Sequence, residues 1–140
     1  MNAEEGELLG EWEHPVEWSK VREFARAVHD PRLDANPPVP PLTFPVVLTA
    51  GFIERFVKEI LPLDKQRTVH GEQEYEYLRP LRVGETVTCR ARLIRDEEKV
   101  GRRGGTMRLV TVEIEIRDSE SGETIGFERS TAVEQGERKA

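Results

Sequence analysis

Residues 46–61 constrain the fold more than any other part of this chain. They include Val46, Val47, Leu48, Ala50, Phe52, Ile53, Phe56, Val57, Ile60 and Leu61, apolar almost all round a helical wheel. Charges enter only late, at Glu54, Arg55, Lys58 and Glu59. The run is too short to span a bilayer, so such a helix must be buried on most sides by the rest of its own chain. Thr43-Phe44-Pro45 precedes it, with Thr43 or Phe44 placed as the cap and Pro45 near the first helical position. Pro62 closes it.

The C-terminal half of the chain can supply the cover. Residues 69–79 carry Tyr75 and Tyr77 on one parity. Residues 85–94 alternate Val87, Cys89, Ala91 and Leu93 with Thr86, Thr88, Arg90 and Arg92. Residues 107–117 put Val110, Val112, Ile114 and Ile116 on one face, and a fourth strand is predicted over 123–133. Residues 80–84, 101–105 and 118–122 are the turns. This is the pattern of an antiparallel sheet with one apolar and one wet face. A sheet curled around one apolar helix is the α+β hot-dog arrangement. Nearer the N-terminus, residues 18–28 read as a short amphipathic helix with Val21, Phe24, Ala25 and Val28 on one face, ended by His29-Asp30-Pro31. Residues 31–45 hold six prolines and form a stiff loop. The expected organisation is a single domain over 1–140, with its core at about 8–134 and fraying ends.

Composition narrows the partners. With 21 Lys and Arg against 27 Asp and Glu, the formal charge is −6, a poor match for nucleic acid or an anionic membrane. The start MNAEEGELLG does not read as a secretory signal, and the cytoplasm is the expected compartment. Cys89 is the one cysteine and falls on the apolar parity of its strand, as a small core residue. Three scattered histidines and one cysteine give no zinc pattern. No metal and no cofactor are expected.

Several segments, in order, resemble the N-terminal hot-dog domain of MaoC-like (R)-hydratases and dehydratases, the type-I fatty-acid-synthase-like dehydratase group. They are Phe24-Ala25-Arg26-Ala27-Val28-His29-Asp30, Pro40-Pro41-Leu42-Thr43-Phe44-Pro45, His70-Gly71-Glu72-Gln73 with Tyr75-Glu76-Tyr77, Arg79-Pro80-Leu81-Arg82-Val83-Gly84-Glu85, and Arg129-Ser130-Thr131. The resemblance implies action on (R)-3-hydroxyacyl or enoyl thioesters of coenzyme A or acyl carrier protein. It also implies pairing of two hot dogs, as a homodimer or as a heterodimer with a catalytic MaoC-like chain. In such pairs one half carries an Asp and a His that place and deprotonate water, while the other shapes the acyl channel. A helix N-terminus receives the charge that develops on the thioester oxygen.

The catalytic pattern the resemblance implies is Asp-x-Asn-Pro-x-His. In one register Asp30 takes the Asp position, with Arg32 at the Asn and Ala35 at the His. In another, Asp34-Ala35-Asn36-Pro37 matches and Val39 takes the His position. Both lack the histidine. Asp30 reads first as a helix-end residue bonding the loop backbone, and second as a relic of the dyad. His29 is adjacent and could stand in for the missing histidine, although adjacent residues usually point apart. Thr43, Phe44, Val46, Val47 and Ala50 are expected to bound the acyl channel. His70 and Glu72 share one parity and could meet a substrate together, or belong to a solvated face or a subunit contact. Arg102 and Arg103 form a basic spot on the loop 101–105, suited to coenzyme A phosphates or a phosphopantetheine, or simply a solvated hairpin tip. The first functional expectation is therefore a non-catalytic subunit of a dehydratase or hydratase. A self-sufficient homodimeric hydratase or thioesterase and an acyl-CoA binding module are the alternatives.

Overall fold

In the computed structural model, which describes residues 4–35, 39–102 and 104–136, the order of elements is β1 (Leu8–Pro15), α1 (Trp18–Ala27), α2 (Pro45–Arg55) running into a π-helical turn at Phe56–Ile60, β2 (Thr68–Tyr77), β3 (Thr86–Val100), β4 (Thr106–Asp118) and β5 (Thr124–Gln135). The five strands form one antiparallel curled sheet in the order β1-β3-β4-β5-β2. Among the described residues no helix is long and apolar enough to cross a membrane.

The core lies between the inner face of the sheet and one side of α2. Phe44, Leu48, Phe52 and Phe56 recur along the helix and pack on Val87, Cys89, Ala91 and Leu93 of β3 and Val110, Val112, Ile114 and Ile116 of β4. Burying one such side chain is worth about 1.5–3 kcal/mol. Cys89 is wholly enclosed, and burial pushes its thiol up to about 12, so it is an inert core residue. Val21 and Ala25 of α1 are buried, and Phe24 sets its ring edge-on to Phe44 at 5.7 Å. The outer face is wet and ion-paired: Arg129 reaches Glu74 at 3.0 Å, Glu76 at 2.8 Å and Glu113 at 2.8 Å.

Three expectations are corrected. The first strand, β1, has no counterpart among the predicted elements. On its inward parity Gly10, Trp12 and His14 pair with Ala91, Cys89 and Val87, and Trp12 alone among them is a large apolar group, so no alternation announces it. Second, α2 is not enclosed on most sides. Val46 is 38% exposed and Ala50 and Gly51 are exposed, leaving an uncovered apolar stripe that Leu42, 67% exposed, extends. Third, Val28 does not join the buried face of α1: it is the C-cap residue and is exposed. Phe44 is the N-cap of α2 and Pro45 its first residue, with no side-chain cap bond.

Candidate functional site

The end of α1 closes in a Schellman arrangement. The His29 N–H donates to the Arg26 carbonyl at 3.2 Å and the Asp30 N–H to the Ala25 carbonyl at 2.9 Å. That geometry requires a left-handed residue, and His29 supplies it with φ 58°. Asp30 is consumed locally. Its Oδ1 accepts the Arg32 backbone N–H at 2.8 Å and Nε at 3.3 Å, and its Oδ2 accepts Nη2 at 3.1 Å. The Arg32 side-chain bond, then the backbone bond, hold this carboxyl below the ordinary aspartate range. Ala35 follows in the same turn, its N–H on the Arg32 carbonyl at 2.9 Å. Asn36, Pro37 and Pro38 lie outside the described residues.

The start of α2 is equally committed. A tight turn takes the Phe44 N–H to the Pro41 carbonyl at 2.9 Å, Val46 to Thr43 at 3.2 Å and Val47 to Phe44 at 2.9 Å. Pro45 has no N–H, so the first donors of the helix are spent on its own turn rather than held out to an oxyanion. The Tyr77 hydroxyl donates to the Leu42 carbonyl at 2.6 Å and ties this turn to β2. Thr43 and Ala50 are exposed, Val46 stands on the open stripe, Val47 is partly buried, and Phe44 is 0% exposed in the core.

On β2 the structure separates two residues that parity along the sequence puts on one face. Gly71 bulges: His70 pairs with Ala132 and Glu72 with the next residue, Thr131. Glu72 therefore turns to the outer face, where a cleft of about 300 Å³ also holds Glu74, Arg95 and Arg129. His70 turns toward the inner side at an exposed margin, with Nε2 2.9 Å from Gln73 Oε1. The Gln73 amide then donates to Glu128 Oε1. Glu128 is 1% exposed. Burial raises its carboxyl above the ordinary range, partly offset by Thr49, Gln73 and the His70 charge. Glu128 Oε2 and the buried Thr49 hydroxyl make no hydrogen bond of good geometry. Sequence reasoning missed Glu128, Gln73 and Thr49. The signal available was only Glu128 standing in a strand beside Phe127, and parity assigned by hydropathy puts Phe127 inside. Arg102 is exposed in the turn between β3 and β4, far along the chain from the other candidates, and Arg103 lies outside the described residues.

Compared with known proteins, residues 3–126 match the family described as FAS1-like, dehydratase domain region. The chain belongs to this family. A relative named UPF0336 protein, from Clavibacter michiganensis subsp. michiganensis, is 37% identical over 130 residues, 84% of this chain and 83% of its own length. Among solved structures, a protein named MaoC-like dehydratase superposes with a TM-score of 0.74 at 24% identity, over 89% of this chain and 41% of that one, so the present chain spans about two fifths of its length. A chain of the truncated HadBC (3R-hydroxyacyl-ACP dehydratase) complex from Mycobacterium tuberculosis superposes with a TM-score of 0.66 at 21% identity, over 89% and 94% of the two chains. These neighbours establish the MaoC-like hot-dog fold. Within this FAS1-like dehydratase domain, none of the three histidines is hydrogen-bonded to Asp30 among the described residues: His14 Nδ1 contacts the Pro15 carbonyl at 2.8 Å, His70 contacts Gln73, and His29 caps α1.

Proposed function

We propose that this chain is the non-catalytic, channel-shaping half of a (R)-3-hydroxyacyl-thioester dehydratase or enoyl-thioester hydratase, working beside a catalytic hot-dog chain on acyl-CoA or acyl-carrier-protein thioesters. The observation that carries this is the Asp30–Arg32 clasp. Dehydration needs a carboxylate free to place water and an imidazole to move a proton. Here both oxygens of the carboxylate are bonded to Arg32, and Ala35 or Val39 stands where the imidazole would be.

The surface supports a partner. Strand β2 is an edge of the sheet, and edges attract pairing. Beside it Leu42, Val46 and Ala50, spaced four residues apart, form an uncovered apolar strip, and Leu78 just past β2 is 64% exposed; exposed apolar groups of this kind mark contact surfaces. The solved HadBC dehydratase is named as a complex, which agrees with this arrangement. In the assembled pair the strip of α2 would border the acyl channel.

The test is hydration of crotonyl-CoA by the purified chain, alone and mixed with a catalytic hot-dog chain of the same family. Expected is no turnover above background alone, and turnover in the mixture that exceeds that of the catalytic chain. Turnover by the chain alone at an ordinary enzymatic rate, lost in H70A, would instead establish the self-sufficient homodimer that the His70–Gln73–Glu128 chain favours.

A further inference from the structure

The edge opposite β2 carries a second concavity. It lies between β1 and α2, has a volume of about 430 Å³, and is lined by Trp12 from the strand and by Val47, Leu48, Gly51, Phe52 and Arg55 from the helix. That is the small end of the range for ligand pockets. Val47, Gly51 and Arg55 are four residues apart and so stack on one helical face. The Trp12 and Phe52 rings stack at 4.8 Å and 15° to form an apolar wall. The indole N–H, the one polar atom of that wall, is satisfied by the Leu48 carbonyl at 3.0 Å. Gly51 leaves the floor open, with nothing from the rest of the fold within 4 Å of where a Cβ would stand.

Charge at the rim is asymmetric. Glu11 is paired with Arg90 at 3.3 Å, and His14 Nδ1 is engaged with the Pro15 carbonyl. Arg55 has no ion pair among the described residues and lies over the Phe52 ring, its guanidinium carbon 5.6 Å from the centroid. Its guanidinium presents a planar fork suited to a carboxylate. An apolar trough ending in such a fork fits one alkyl chain with one anionic end. The geometry points to a binding site for a free medium-chain fatty carboxylate, with its alkyl chain along Trp12, Val47 and Gly51 and its carboxylate on Arg55. The site lies at the edge of the sheet away from β2, and does not depend on the dehydratase reading.

The test titrates the full chain with octanoate, 1-octanol and octyltrimethylammonium, following heat and the amide and indole resonances. Octanoate is expected to saturate a single site and to move the Trp12 indole and Gly51 amide signals, with octanol at least about tenfold weaker and the cation weaker still. R55Q should weaken octanoate about tenfold without affecting octanol. G51L fills the trough while favouring the helix, and should abolish both. Absence of saturable binding, equal binding of octanoate and octanol, or octanoate binding unchanged in R55Q and G51L would each overturn the assignment.

Discussion

Gln73 on the edge strand and Glu128 on β5 are joined by a hydrogen bond beneath the sheet, the amide donating to a carboxyl that solvent scarcely reaches. One carboxyl oxygen is thereby satisfied and the other is left without a good partner. A folded-state proton affinity raised by burial means that the native protein holds this proton where the unfolded chain has released it. Stability from this group is thus greatest below the unfolded glutamate range and falls as pH rises toward the raised folded value. Glu128→Gln keeps the shape and an acceptor for Gln73, and offers N–H to Thr49. It should stabilise the protein at pH 7 by about 1–3 kcal/mol, with the gain shrinking toward about pH 4. Urea denaturation at both pH values measures it, and a variant destabilised at neutral pH would contradict it.

Asp30→Asn tests whether Asp30 acts in chemistry or in a turn. Asn still accepts the Arg32 backbone N–H but loses the charge pairing. The expected result is a modest fall in melting temperature and turnover by the assembled enzyme within about twofold of the parent, whereas loss of a general acid or base costs about a hundredfold or more. Because Arg32 lowers the Asp30 proton affinity, the pairing is present above the unfolded aspartate range and is lost as pH falls through the lowered folded value.

His29→Gly should stabilise the chain. A non-glycine residue in the left-handed region costs about 1–2 kcal/mol, and His29 makes no side-chain hydrogen bond there to offset this among the described residues. Thermal unfolding should shift upward, and His29→Val should shift it downward, since a β-branched residue tolerates the left-handed region least.

Val46→Glu places a charge on the uncovered stripe of α2. Fold and melting temperature of the isolated chain should change little, because the position is on the surface. Association with a hot-dog partner, followed by light scattering, should weaken at least about tenfold. Phe44→Ala, two residues earlier but wholly buried, is the contrasting core substitution and should cost about 3–5 kcal/mol of stability.

The order of the helices and of the last four strands was legible because their burial follows a period. Val87, Cys89, Ala91 and Leu93 alternate without interruption and sit inward in the structure. The candidate site was much less legible, for identifiable reasons. The bulge at Gly71 breaks the two-residue period between His70 and Glu72, so parity counted along the sequence joins residues that the backbone separates. On β5 the hydropathy is inverted. Phe127 lies on the outer face beneath the Arg129 guanidinium, 5.2 Å from its carbon, while Glu128 points at the core, because the sheet fixes which parity faces α2 whatever the side chains are. The apolar stripe of α2 reads as enclosed because an isolated sequence does not distinguish burial by its own sheet from burial by a neighbour.

Gly71 turns the far end of β2 into an adjustable part. A Cβ there would lie 2.7 Å from the Val133 methyl group, so a larger residue at the kink must push the Val133 side chain aside. Excising this single glycine would restore unbroken alternation with His70 still opposite Ala132 and Glu72 still opposite Thr131, so both side chains would keep their faces. The imidazole would stay beneath the sheet, and an approaching chain would meet a straight strand end where it now meets a kinked one. A one-residue deletion would thereby straighten the docking rim while leaving every core contact of β3 and β4 in place.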